Sequence, residues 1–216
     1  MRSRFDEQLA ALNREMIEMG ALCEEAIALA AGTITTGDPE QRGKVLQISA
    51  DLNHMERDVE TRCLKLLLQQ QPVARDLRQI SAALKMITDM ERIGDQAEDI
   101  ADISAYLEGY EGAETALIQA MAKETIQMVT DSVEAFVRSD MDLANAVLVH
   151  DDVVDDYFTK VKSSLIDLMG QSRESAEYAL DFLMIAKYFE RIGDHATNIA
   201  EWVIFSITGI HKEANE

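Results

Sequence analysis

The chain has 216 residues, and its 40 Asp and Glu residues outnumber its 20 Lys and Arg residues, which gives a net charge of −20. With 47% hydrophobic residues it is too apolar for a disordered acidic tail, and with 2 Pro and 10 Gly it is neither collagen-like nor of low complexity. The cations are interleaved with carboxylates, which argues against a nucleic-acid partner because phosphate contacts need clustered Lys and Arg.

Helical periodicity runs through nearly the whole sequence, and its breaks divide the chain into six helices. Gly37, Asp38 and Pro39 separate the first two helices, with Gly beyond a helix end, Asp as N-cap and Pro at the first helical position. Pro72 opens the third helix, and a Gly-containing linker follows at 109–112. The predicted helices span 5–36, 39–71, 72–107, 114–138, 141–169 and 173–208. No segment indicates a strand, so the predicted fold class is all-α.

The second half of the chain repeats the first. ERIGD at 91–95 recurs at 190–194, an offset of 99 residues, whereas Gly37-Asp38 matches Ser139-Asp140 at an offset of 102 residues. Three residues are therefore missing from the second half near the turn between helices five and six. The pattern predicts a tandem pair of three-helix bundles, 1–108 and 109–216, each burying its apolar faces mainly within its own bundle, with packing against its twin left open.

The chain carries no recognisable targeting or membrane-spanning segment. The N-terminus MRSRFDEQL has no apolar run behind its charges, and no stretch approaches the roughly 18 apolar residues that span a bilayer. Cys23 and Cys63 are isolated from each other and are expected to behave as small buried hydrophobes. We expect a cytoplasmic protein without membrane insertion.

Acidic residues form one row on helix three and one on helix six. The third helix has Glu91, Asp95 and Asp99 at four-residue spacing. The sixth has Glu190 and Asp194, followed by Asn198. Residues four apart share a helix face, so like charges at this spacing repel and need compensation from a basic side chain or a hard cation.

Antiparallel pairing sets a second helix against each row. In the second half this brings Asp151 and Asp155 opposite Glu190 and Asp194. In the first half the matching places hold Ser49 and Asn53, which make a poorer oxygen cage. The pattern predicts that a metal ion binds more readily in the second repeat.

Each of these features also has a purely structural interpretation. Acidic rows on helices are commonly solvated faces with Lys or Arg partners. Gly94 and Gly193 occupy matched positions in mid-helix, where Gly costs about 1 kcal/mol relative to Ala, and close helix approach explains them as well as a metal does. His195 lies beside Asp194 and is either a secondary ligand or a packing histidine.

The sequence lacks the signatures of common enzymes. None of the four histidines has Glu three residues before it, so the Glu-x-x-His motif of di-iron bundles is absent. Neither a phosphate-binding glycine loop nor a nucleophile elbow is present, so we expect no catalytic residues.

Three motifs together resemble the PhoU family of bacterial phosphate-uptake regulators. They are QQPVA with DLR at 70–78, ERIGDQAEDIA at 91–101 and ERIGDHATNIAE at 190–201. The resemblance covers essentially the whole chain. It implies a cytoplasmic, often homodimeric protein without catalysis, which restrains phosphate uptake and phosphate-starvation genes. It also implies coupling between the ATPase subunit of the phosphate ABC transporter and the phosphate-sensing histidine kinase.

The resemblance further implies metal sites, because some PhoU-like proteins bind iron, zinc or magnesium through acidic motifs in each repeat. Carried over residue by residue, the motifs fall on these positions: Glu91, Asp95, Asp99, Asp151, Asp155, Glu190, Asp194 and Asn198. Asn198 stands where the first repeat has Asp99, and Ser49 and Asn53 depart from the motif on the preceding helix.

Two other functions stay open from the residues. A metal-dependent enzyme or metal store would use the same acidic rows, but it needs an open coordination position in a water-excluding pocket. A phosphate receptor would use the N-terminus of helix three, where 72–78 carries two arginines, although the negative surface opposes anion binding.

Overall fold

The computed structural model describes residues 2–70, 72–107, 110 and 112–210, and it is built from six long helices. They are α1 (Arg2–Thr36), α2 (Pro39–Gln70), α3 (Ala74–Ser104), α4 (Glu114–Arg138), α5 (Met141–Met169) and α6 (Arg173–Thr208). The described residues contain no β-strand, which confirms the all-α prediction. Within that part of the chain, no helix combines the length and apolar character needed to cross a membrane.

Two of the predicted boundaries of helix three shift by a few residues. Val73 is the N-cap residue in extended conformation, with ψ of 165°, so α3 begins at Ala74 and not at Pro72. At the other end, α3 stops at Ser104 and a 3₁₀ turn, Ala105–Leu107, replaces the last predicted turn. Such tightening is common at helix ends, where carbonyl groups lack partners.

The turns that start α2 and α5 use the same capping chemistry. Asp38 accepts a hydrogen bond from the Glu40 amide at 2.9 Å, and Asp140 accepts one from the Leu143 amide at 3.0 Å. The residue before each aspartate is left-handed: Gly37 has φ of 60°, and Ser139 has φ of 52°. The two repeats therefore preserve backbone geometry even where the side chain differs.

The halves are joined by two pairs of helices. Within each half the three helices contact one another, and across the halves α3 packs on α6 and α1 packs on α4. The helices α2 and α5 each pack only on helices of their own half, so they lie at the two outer edges of the described part of the chain.

Equivalent apolar stripes fill the core. In α2, Val45, Leu52 and Val59 are at most 1% exposed, and their counterparts in α5 are equally buried. The buried residues form one continuous cluster that includes both halves. Apolar faces are thus buried within each bundle and also against its twin, because α3 packs on α6 and the buried cluster is continuous.

The two cysteines are buried core residues, as predicted. Cys23 and Cys63 are both free thiols with no exposed surface. Burial raises the thiol pKa of each, to about 12 for Cys63, so the reactive thiolate is scarce at neutral pH.

Candidate functional site

The acidic cluster of the second repeat lies where α5 crosses α6. Gly193 of α6 makes this crossing close, because a Cβ there would lie 3.2 Å from Oδ1 of Asp151 and 3.5 Å from Cγ1 of Val154. Because Gly193 has no side chain, the half-buried Asp151 carboxylate can lie against the α6 backbone. Gly193 itself lies between Glu190 and Asp194 in the sequence. Close helix approach thus accounts for this glycine.

Four predicted carboxylates of this repeat lie close enough to repel one another. Burial raises the pKa of Asp151 to about 6, and repulsion from Asp155, Asp194 and Glu190 adds to the effect. Burial and the neighbouring Glu190 likewise raise the pKa of Asp194. Lys187 forms an ion pair with Glu190 and neutralises part of the negative charge. The cluster holds more anionic charge than its own cation balances.

The carboxylate oxygens of this cluster suit a hard cation, but the side chains are not arranged around a common point where an ion could bind. Carboxylate oxygens are the ligands that magnesium, calcium and other hard ions prefer. Among the residues that the structure describes, no group of three or more His, Cys, Asp or Glu side chains is arranged to hold an ion. Coordination of one ion would therefore require the carboxylates to turn toward one another.

The equivalent place in the first repeat is chemically different. Arg92 lies 3.4 Å from Glu91 and 3.0 Å from Asp95, so a basic side chain of the same helix compensates this row. Burial is the main cause that raises the pKa of Glu91, and Asp95 adds to it. Asn53 donates to the Ser49 carbonyl at 3.2 Å, and neither supplies a carboxylate.

Gly94 makes the corresponding close crossing of α2 and α3. A Cβ at Gly94 would lie 2.7 Å from Cδ1 of Leu52, the residue equivalent to Val154. Here the space left by the glycine is filled by an apolar side chain. Both mid-helix glycines thus allow a close helix crossing, against Leu52 in the first repeat and against Asp151 and Val154 in the second.

Asp99 and Asn198 lie at the junction between the repeats and contact residues outside the predicted set. Tyr188 of α6 lies close to Asp99 of α3, and burial together with the Asp99 carboxylate raises the pKa of the Tyr188 hydroxyl. Asn198 of α6 donates to Oδ1 of Asp89 on α3 at 3.1 Å. Because Asp99 corresponds to Asn198 and Asp89 to Tyr188 at the 99-residue offset, the two contacts are related by the repeat.

His195 joins this junction. Its Nδ1 lies 2.9 Å from Oδ1 of Asp89, which is consistent with the packing interpretation of this histidine. Asp89 and Tyr188 were missed by sequence reasoning, although the 99-residue offset already paired each with a polar residue of the other repeat. We call Asp89, Asp99, Tyr188, His195 and Asn198 the junction cluster.

Comparisons with known proteins identify relatives along the whole chain. The family model described as "PhoU domain" matches residues 16–104 and 118–203. A Clostridium acetobutylicum protein named phosphate-specific transport system accessory protein PhoU homolog is 31% identical, over 100% of this chain and 99% of its own length. A Burkholderia protein of the same name is 35% identical, over 96% of this chain and 90% of its own length.

Solved structures agree with the fold. The crystal structure of PhoU from Pseudomonas aeruginosa superimposes with a TM-score of 0.90 at 31% identity, and covers 95% of this chain and 100% of its own. The phosphate transport system regulatory protein PhoU from Streptococcus pneumoniae gives a TM-score of 0.88 at 26% identity, over 97% of this chain and 99% of its own.

Proposed function

The chain belongs to the PhoU family, and from this premise we propose that it is a non-catalytic accessory protein that regulates phosphate transport. The observation that carries this proposal is the match over nearly the full length of relatives named as accessory proteins of the phosphate-specific transport system. Two further observations support it. The chain folds into two similar helical halves. Its strongly acidic composition suits docking on basic partner surfaces.

More specifically, we propose that it restrains phosphate uptake and the expression of phosphate-starvation genes when phosphate is abundant. It would act in the cytoplasm, as a homodimer, as an adaptor between the ATPase subunit of the phosphate ABC transporter and the phosphate-sensing histidine kinase. The sequence supports this role because it contains no nucleophile elbow or phosphate loop that would indicate catalysis.

Deletion of the gene tests the regulatory role. We expect phosphate-starvation genes to be expressed at high phosphate in the deletion strain and to be repressed again when the gene is restored. Unchanged expression would contradict the proposal. Pull-down of the purified chain with the ATPase subunit and with the kinase tests the adaptor role separately.

We also propose that the carboxylates of Asp151, Asp155, Glu190 and Asp194 bind a divalent or ferric ion in preference to the first-repeat residues. The raised pKa of Asp151 supports this, because a cation would relieve the repulsion that causes part of the shift. The first-repeat row supports it by contrast, since Arg92 already contacts Glu91 and Asp95.

Titration of the chelated protein with magnesium, zinc or ferric iron tests this preference. We expect Asp194→Asn to lose most of the binding and the matched change Asp95→Asn to retain it. Equal loss in both variants, or a crystal structure with metal only in the first repeat, would contradict the proposal. Hydrolase and oxidase assays of the metal-loaded protein test the alternative of a metal-dependent enzyme.

A further inference from the structure

A lysine borders the acidic cluster of the second repeat, on the side nearer the turn between α5 and α6. Antiparallel pairing sets Asp155 opposite Glu190, and the next pair toward the turn is Phe158 with Lys187. The structure agrees with this pairing, because the Lys187 ammonium group lies 5.7 Å from the centroid of the Phe158 ring. The negative face of an aromatic ring attracts a cation. Lys187 is thereby held beside the carboxylates.

Lys187 already acts as a counter-ion for this cluster. Its ammonium group forms an ion pair with Glu190, which is one helical turn away. Its charge also reaches Asp194: burial raises the pKa of Asp194, repulsion from Glu190 adds to that rise, and Lys187 opposes it. The Glu190 side chain is only 18% exposed, so solvent screens this ion pair less than a pair at the open surface. One carboxylate of the predicted metal set is therefore occupied by a cation of the chain itself.

The first repeat has a different arrangement at the matched pair. That pair is Glu56 with Thr88, and the Thr88 hydroxyl donates to the Glu56 carboxylate at 3.1 Å. The compensating cation of the first repeat is Arg92, which lies within the acidic row itself. Of the two matched pairs, only Phe158 with Lys187 places an ammonium group at the end of the acidic row. The position of this lysine is thus a distinct feature of the second repeat.

We propose that Lys187 is a tethered competitor of the metal ion, which lowers the ion affinity of the second-repeat cluster and leaves Glu190 when an ion binds. This role rests on the metal binding proposed above. A divalent ion and the ammonium group repel each other and share the Glu190 carboxylate, so occupancy by one weakens the other. A monovalent ion offers no more charge than the ammonium group does. The lysine therefore also biases the cluster toward multivalent ions.

The metal affinity of the chelated full-length chain tests the role of Lys187. Mn²⁺ is the probe, because it prefers oxygen ligands and the EPR signal of the free ion falls as the ion binds. Lys187→Met removes the charge and keeps a flexible apolar side chain beside Phe158. We expect this variant to bind Mn²⁺ about tenfold more tightly than the wild type, with a smaller gain at high salt. Lys187→Arg keeps the charge and should bind no more tightly than the wild type.

Lys160→Met is the matched control for the change in net charge. Lys160 is an exposed residue of α5 whose ammonium group lies 4.8 Å from the centroid of the Tyr157 ring, so it also makes a cation–π contact. We expect its loss to change the Mn²⁺ affinity less than about twofold, because solvent screens an exposed charge. Unchanged affinity in Lys187→Met, or an equal gain in both variants, would overturn the proposal. Circular dichroism melting in a chelator verifies that both variants fold.

Displacement of the lysine is observed directly by NMR during titration with diamagnetic Mg²⁺. We expect the side-chain signals of Lys187 and the ring signals of Phe158 to shift as the ion binds, while those of Lys160 stay in place. Lys187 signals that do not move while Mg²⁺ saturates the cluster would refute the competition.

The lysine proposal and the metal proposal fail in different ways. If the wild type and Lys187→Met bind Mn²⁺ equally, the metal site stands and the lysine proposal falls. If neither protein binds the ion, both proposals fall. Binding by Lys187→Met alone would support the competing role of the lysine and would contradict metal binding by the wild-type cluster.

Discussion

The α2–α3 and α5–α6 crossings share one backbone design and differ in chemistry. Gly94 packs against Leu52, whereas Gly193 packs against Asp151 and Val154. At one matched position the first repeat has Ser49 and the second has Asp151, so only the second repeat places a carboxylate against the glycine. The comparison shows that the helix contact is set by the glycine and its apolar neighbour, and that the electrostatics can change independently of it.

Loss of the apolar neighbour should have the largest effect. Leu52→Ala is expected to lower the free energy of unfolding by about 3 kcal/mol, because it leaves a cavity beside Gly94. Val154→Ala removes one carbon fewer, so its effect should be smaller by about 1 kcal/mol. Urea denaturation of both variants measures this difference, with exposed Leu68→Ala as a near-neutral control. A larger loss for Val154→Ala would show that the two crossings do not pack equivalently.

The acidic crossing should respond to pH in the metal-free state. The folded pKa of Asp151 is about 6, above its ordinary 3.8, so the folded state holds the proton more tightly. Stability associated with this group therefore falls as pH rises from about 3.8 to 6, and the cost is fully present above pH 6. Asp151→Asn removes the cost and should stabilise the protein by about 1.5 kcal/mol at pH 7.5, a value reduced for partial exposure.

Denaturation in a chelator at pH 7.5 and pH 4 measures this gain, which should be much smaller at the lower pH. The control change Asp95→Asn, in the first-repeat row compensated by Arg92, should not stabilise the protein, because it loses an ion pair. A loss of stability in Asp151→Asn at pH 7.5 would show that its carboxylate is compensated after all.

The junction cluster should contribute less. Tyr188→Phe removes the polar interaction between the tyrosine hydroxyl and Asp99, and we expect a loss of about 1 kcal/mol. Asn198→Asp places a second carboxylate against Asp89. The resulting repulsion should also lower stability, although His195, which contacts Asp89, partly offsets it. Thermal melting of both variants checks the prediction. An unchanged melting temperature in both would show that the junction relies on apolar packing alone.

The smallest effect is expected at Arg92. The Arg92 side chain is 56% exposed in its ion pairs with Glu91 and Asp95, so Arg92→Ala should cost about 0.5 kcal/mol at low salt and less at high salt. A loss that does not decrease with salt would indicate that the arginine stem contributes through packing. Denaturation at two salt concentrations separates these outcomes.

Most of the fold could be predicted because the residues that start and end the helices act through local contacts. Asp38 caps α2 and Ser172 caps α6, so both helix starts follow from side chains that accept hydrogen bonds from nearby amides. The start of α3 was misplaced because Pro72 fits a first helical position, yet the backbone stays extended through Val73. No local signal distinguishes these two outcomes.

The candidate site could be predicted only in part. The spacing of Asp151, Asp155, Glu190 and Asp194 identified their shared region, because two antiparallel helices fix their register. Asp99 and Asn198 were grouped with them, but their side chains reach across to the other half, which depends on how α3 and α6 pack.

The unequal lengths of α2 and α5 break the symmetry of the repeats at their far ends. Both helices start at equivalent residues, but α2 has 32 residues and α5 has 29, so α2 extends about 4.5 Å further at 1.5 Å per residue. Arg78 contacts Ser206 and Asp89 contacts His195, so α3 and α6 run antiparallel and the C-terminal ends of α2 and α5 lie at opposite ends of the molecule. The duplicated architecture thus carries a built-in direction, by which a bound molecule can distinguish its two ends.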